Sequence, residues 1–164
     1  MKKILTTFLL IIGLSLFAQT NSFAQQHGPT KLGAGLMYGE APDAVGINVN
    51  ATFRVSPQIA IAPDISIYFP EDEELPFLDS FWAINLNGHY IFTAENEYHI
   101  YGLGGLNLAT AEPSVPGDSE SELGINLGVG GEYHLENFSL YSELKYVVGE
   151  FDQVVIGVGA RFPI

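Results

Sequence analysis

The chain has no cysteine. That excludes a disulfide framework, and it excludes the lipidated cysteine that would tether an exported chain to a membrane. Basic residues are almost as scarce, six Lys+Arg against 19 Asp+Glu, for a formal net charge of −13. With no basic stripe to neutralise phosphates, nucleic acid is not an expected partner. Long apolar runs are missing too. Beyond the N-terminal segment none approaches the roughly 18 residues that mark a membrane-spanning helix.

What is present begins with a leader. MKKILTTFLLIIGLSLFAQTNSFAQQ carries a basic start at Lys2 and Lys3, an apolar run from Ile4 to Ala18, and small residues around Ser22 and Ala24. This is the pattern of a bacterial secretory signal over residues 1–24. One mature domain is expected over 25–164. Its only basic residues are Lys31, Arg54, Lys145 and Arg161, so its net charge is four positive against 19 negative, or −15.

Within that domain the dominant period is two. In FSLYSELKYVV, Phe138, Leu140, Leu144, Tyr146 and Val148 share one parity, while Ser139, Tyr141, Glu143 and Lys145 share the other. Eight such segments are predicted, at 31–39, 46–55, 58–69, 80–93, 98–109, 122–135, 138–148 and 153–164, separated by Gly, Pro, Asn, Asp and Glu clusters. Connections alternate between short (Ser56-Pro57, TAEN, Glu136-Asn137) and long (EAPDAV, PEDEELPFLDS, TAEPSVPGDSESE). An even number of strands near or above the 9 to 11 residues that cross a bilayer at a tilt of about 45°, with tight turns at one end, predicts an all-β, eight-stranded, antiparallel, up-and-down transmembrane barrel.

The two faces decide which side is inside. One parity carries no charge: it includes Leu36, Ile47, Val49, Ile65, Ile84, Leu106, Leu127, Val129 and Val158. The other carries Gly, Ala and Asn, all four mature cations, and three carboxylates, Asp64, Glu132 and Glu143. A water-facing exterior would be coated with Lys and Glu, whereas small residues suit the narrow bore of eight strands. The apolar parity is therefore assigned to lipid. Tyr90, Phe92, Tyr98, Tyr133, Phe138, Phe53 and Phe162 near the tight turns, and Tyr38, Phe69, Trp82 and Tyr146 near the long loops, form two interfacial girdles. Most acids fall in or beside the long loops, around residues 40–45, 70–79 and 110–121.

With its leader, eight alternating strands and closing segment QVVIGVGARFPI, the chain resembles the small outer-membrane β-barrel proteins of Gram-negative bacteria: the membrane domain of outer membrane protein A, opacity-type antigens and related porin-family barrels. The resemblance implies an outer-membrane location, contact with outer-membrane lipid, and handling by periplasmic chaperones and the barrel-assembly machinery. In that family the last strand carries the assembly signal, matched here by the alternation ending at Phe162 and Ile164, although the family usually ends on Phe. An appended peptidoglycan-binding domain is not expected.

Candidate sites follow from the inward parity. Lys31, Arg54, Asp64, Glu132, Glu143, Lys145 and Arg161 are expected to form a salt-bridged lumen network that holds the barrel shut rather than lining a solute path. Lys145 is expected to neutralise a lumen carboxylate. His89, His99 and His134 offer zinc-type ligand chemistry, although they lack a close-spaced ligand motif and are read first as polar lumen residues. Glu71, Asp72, Glu73, Glu74, Phe77 and Asp79 make an acidic loop that is either solvated or the contact for an extracellular partner. The Gly-Asp-Ser in SVPGDSES lacks the strand-turn-helix setting of a nucleophile. No cofactor and no catalysis are expected. The competing readings are a small-solute pore, a lipid-modifying enzyme embedded in a barrel, and a soluble barrel around an apolar ligand.

Overall fold

A computed structural model describes residues 28–70, 78–95, 97–113 and 120–164. The leader, the acidic run 71–77 and most of SVPGDSES lie outside these residues. The strands are β1 (Lys31–Gly39), β2 (Ala44–Arg54), β3 (Ile59–Phe69), β4 (Leu78–Ala94), β5 (Tyr98–Pro113), β6 (Glu120–His134), β7 (Ser139–Val148) and β8 (Gln153–Pro163). Each pairs antiparallel with the next, and β8 returns to β1 to close the barrel. Closure leaves no open edge in the wall, the condition for strands in hydrocarbon.

The parity reading holds along the wall. Leu36, Val49, Ile65, Leu106, Leu127 and Val158 are more than half exposed, while Asn85, Asn126 and Arg161 on the other parity are at most 2% exposed. A register shift between Ile91 and Thr93 places the extra residue, Phe92, on the outside, with its ring over Gly102 and against Tyr90 at 5.3 Å. Phe138 and Phe162 stack at 5.8 Å on the same end.

At the opposite end the girdle is tied to the acids. Tyr38 donates to Asp43, the Trp82 indole to Glu112 at 3.3 Å, and Tyr146 to Asp152 at 2.8 Å. Each aromatic thus keeps its ring against the wall and its polar atom toward water.

The third long loop is shorter than expected. Thr110 pairs with Ser121 and Ala111 with Glu120, so Glu112, Glu120 and Glu122 stand on strands. Asp79 likewise falls within β4, and Ala44 and Val45 within β2. Backbone pairing between β4, β5 and β6 continues past the region where β3 and β7 pair with them.

Candidate functional site

The inward side chains fill the lumen in three tiers. Toward the long loops, Met37, Ala44, Tyr68, Phe81, Ala83, Ala109, Val147 and Val155 form an apolar plug, with Phe151 against it. Tyr68 and Phe81 meet edge-on at 5.6 Å, and Phe81 and Phe151 at 5.8 Å. The sequence reading missed this plug. The signal was available, since Tyr68 shares the parity of Asp64, and Phe81 that of Asn85.

The middle tier is polar. Asp64 receives Asn48 (3.0 Å), Ser66 (3.1 Å) and Asn85 (2.7 Å) on Oδ1, and Asn87 (3.0 Å) on Oδ2. Asn107 and Asn126 extend the cluster by donating to Asn85 Oδ1, each at 2.8 Å. Asn48 also closes a path to Arg161: the guanidinium Nε donates to Asn50 Oδ1 at 2.9 Å, and Asn50 donates to Asn48 Oδ1 at 2.7 Å. A guanidinium can only donate and a carboxylate only accept, so the two ends force both amides into one head-to-tail orientation. Asp64 is solvated by amide dipoles and the Ser66 hydroxyl, with no direct ion pair among the described residues.

Arg161 anchors a second cluster. It reaches Glu143 at 2.7 Å and Glu132 at 3.3 Å, donates to the Tyr101 hydroxyl at 3.1 Å, and lies 4.0 Å from the centroid of the Tyr141 ring. Tyr101 passes its own proton toward Glu143 at 2.6 Å. Lumen glycines make room for these groups. A Cβ on Gly130 would stand 2.5 Å from the Tyr101 ring, and one on Gly33 would stand 2.7 Å from the Arg161 stem.

The third tier faces the tight turns. Lys31 pairs with Glu132 and donates to Ser139 at 3.1 Å and His134 Nδ1 at 3.3 Å. His134 Nε2 contacts His99 Nδ1 at 2.8 Å, and Arg54 reaches the same Nδ1 at 3.1 Å. Lysine and arginine are donors only, so both Nδ1 atoms accept, and the His134 proton sits on Nε2 and points to His99. His89 stands apart, stacked on Tyr101 at 4.3 Å. Among the described residues no three His, Asp or Glu side chains gather at metal-ligand spacing.

Of the seven predicted network charges, the structure joins Lys31, Glu132, Arg161 and Glu143 in one ion-pair chain. Asp64 connects to it through amides. Lys145 corrects the expectation: among the described residues no carboxylate lies within 4.0 Å of it. It shares with Asp64 and Glu143 a void of about 10 Å³, room for about one water. Phe162 faces outward, half exposed, and Ile164 is exposed beyond it.

No family model matches the sequence, and no curated protein matches it. Solved structures do. The N-terminal β-barrel domain of Pseudomonas aeruginosa OprF superimposes with TM-score 0.69 at 16% identity, covering 84% of this chain and 98% of that one. The fold is that of the small outer-membrane barrels. Ail, the attachment invasion locus protein of Yersinia pestis, gives TM-score 0.62 at 18% identity over 85% of this chain and 100% of its own. Neisserial surface protein A gives 0.63 at 16% over 82% and 96%. The shared feature is the closed eight-stranded wall.

Proposed function

We propose that this protein sits in the outer membrane of a Gram-negative bacterium as a structural or surface-interaction barrel, with its tight turns in the periplasm and its acidic connections outside. The observation that carries the reading is the sorting of charge: the outward parity of the wall is apolar, while Lys31, Arg161, Glu132 and Glu143 are ion-paired in the lumen. The long connections would carry recognition of an extracellular partner, because the bilayer constrains the wall and not the loops. Phe162 and the alternation before it suit recognition by the assembly machinery.

The competing readings meet specific obstacles. A small-solute pore needs an open bore, and the described lumen is crossed by both the Phe81 plug and the Arg161 cluster. A lipid-modifying enzyme needs catalytic groups at the outer leaflet, whereas His99 and His134 lie toward the tight turns. A soluble barrel around an apolar ligand needs an apolar interior. Here the interior holds the asparagines.

The test is fractionation of expressing cells, followed by gel mobility of unheated and boiled protein in detergent. Recovery in the outer membrane with a heat-dependent mobility shift is expected. Recovery in the soluble periplasm would overturn the reading.

A further inference from the structure

The tight-turn mouth of the lumen is a cavity of about 270 Å³ whose lining includes Lys31, Arg54, His99, Glu132, His134 and Phe138. Its charges are unevenly satisfied. Glu132 is occupied on both oxygens, Oε1 by Lys31 and Oε2 by Arg161. Arg54 has no carboxylate within 4.0 Å among the described residues, and its hydrogen bond runs to the neutral His99 Nδ1 at 3.1 Å. A guanidinium has five N–H donors, and among the described residues most of those on Arg54 remain for another acceptor.

The inward parity carries four cations, Lys31, Arg54, Lys145 and Arg161, and the carboxylates Asp64, Glu132 and Glu143, with Glu122 toward the long loops and Glu136 on the lining of the mouth. Lys145 has Asp64 and Glu143 across its shared void. Although Glu136 shares the lining of the mouth, Arg54 is the cation there without a carboxylate within 4.0 Å among the described residues, and it stands at the end open to water. An unmatched cation within low-dielectric walls favours a bound counter-anion, and a planar guanidinium favours one with two oxygens.

We propose that this mouth binds a small oxyanion, a phosphate or carboxylate group, held by the free N–H donors of Arg54. Leu135 and Phe138 also line the cavity and give a short apolar body attached to the anion a surface to cover. The group can reach the mouth as a free anion or as the head of an anionic lipid. Only the naming of this end as periplasmic rests on the outer-membrane reading. The binding itself does not.

The experiment uses the purified protein in uncharged detergent, with folding verified by the heat-dependent mobility shift. Inorganic phosphate is titrated while the Arg54 Nε–H and the ring nitrogens of His99 and His134 are followed by NMR. Saturable shifts at these groups are expected in the unaltered protein, and Arg54→Gln should weaken binding by about tenfold or more. The Arg54 signal of the unaltered protein serves as readout even if a variant folds poorly. Shifts produced by free phosphate identify a solution anion. Shifts that arise only on transfer from phosphatidylcholine to phosphatidylglycerol vesicles identify a lipid head group; either supports the site. Absence of both, or equal affinity in Arg54→Gln, would overturn it.

Discussion

Arg161 is 2% exposed and holds two carboxylates, a phenol and an aromatic face at once. Replacing it with Met leaves Glu132 with Lys31 but Glu143 with only the Tyr101 hydroxyl, a lumen carboxylate without a compensating cation. The expected loss is about 3–5 kcal/mol, read as a lower urea midpoint for the barrel in lipid vesicles. Adding Glu143→Gln should recover part of that loss, because a neutral amide no longer needs the guanidinium. Lys145→Met separates the two kinds of lumen charge. Lys145 is 4% exposed but touches no carboxylate directly among the described residues, so removing it relieves desolvation as well as losing attraction. A change within about 1 kcal/mol is expected. A loss as large as that for Arg161 would mean that the void couples Lys145 strongly to Asp64 and Glu143.

At the scale of the strand, the governing quantity is which parity meets lipid. Val129 lies outward on β6, paired with Leu144 and Gly102. Val129→Arg should therefore cost about 2–4 kcal/mol near the midplane, checked by the fraction that folds into vesicles and shows the mobility shift. Strands were legible because period two and an uncharged face are local properties of the chain. The ends of β5 and β6 were not, because Ala-Glu-Pro and Glu-Ser-Glu read as turn residues, and only the partner strand's hydrogen bonds keep them extended. The lumen was legible in composition and illegible in pairing. Lys31 meets Glu132 across the closed barrel, and Gly130, read as lining a narrow bore, instead seats the Tyr101 ring. Such contacts depend on barrel closure, which no short window of sequence encodes. Tyr68 and Phe81 lie on the inward parity of adjacent strands, and their meeting with Phe151 as a plug likewise depends on closure.

Taken as a whole, the molecule puts every Lys and Arg from residue 25 onward inside the barrel and leaves its long connections with acids as their only charged residues. A partner recognised there should carry positive charge, and its association should weaken as salt screens the exposed acids over about 8–10 Å. The same sorting makes the interior a series of seals. The Phe81 tier is apolar and the Arg161 tier is ion-paired, so opening one leaves the other in place. Phe81→Ala alone should give no step conductance in a planar bilayer, because Arg161, Glu143 and Tyr101 still cross the bore. Phe81→Ala combined with Tyr101→Ala removes the loop-side ring and the phenol that bridges Arg161 to Glu143, and discrete conductance steps are expected from that pair. Eight strands leave an interior only wide enough for side chains to fill, so any path must come from deleted side-chain volume and not from widening of the wall. Steps of the same size in the unaltered protein would place an open path through the lumen and make the ion-paired tier a gate.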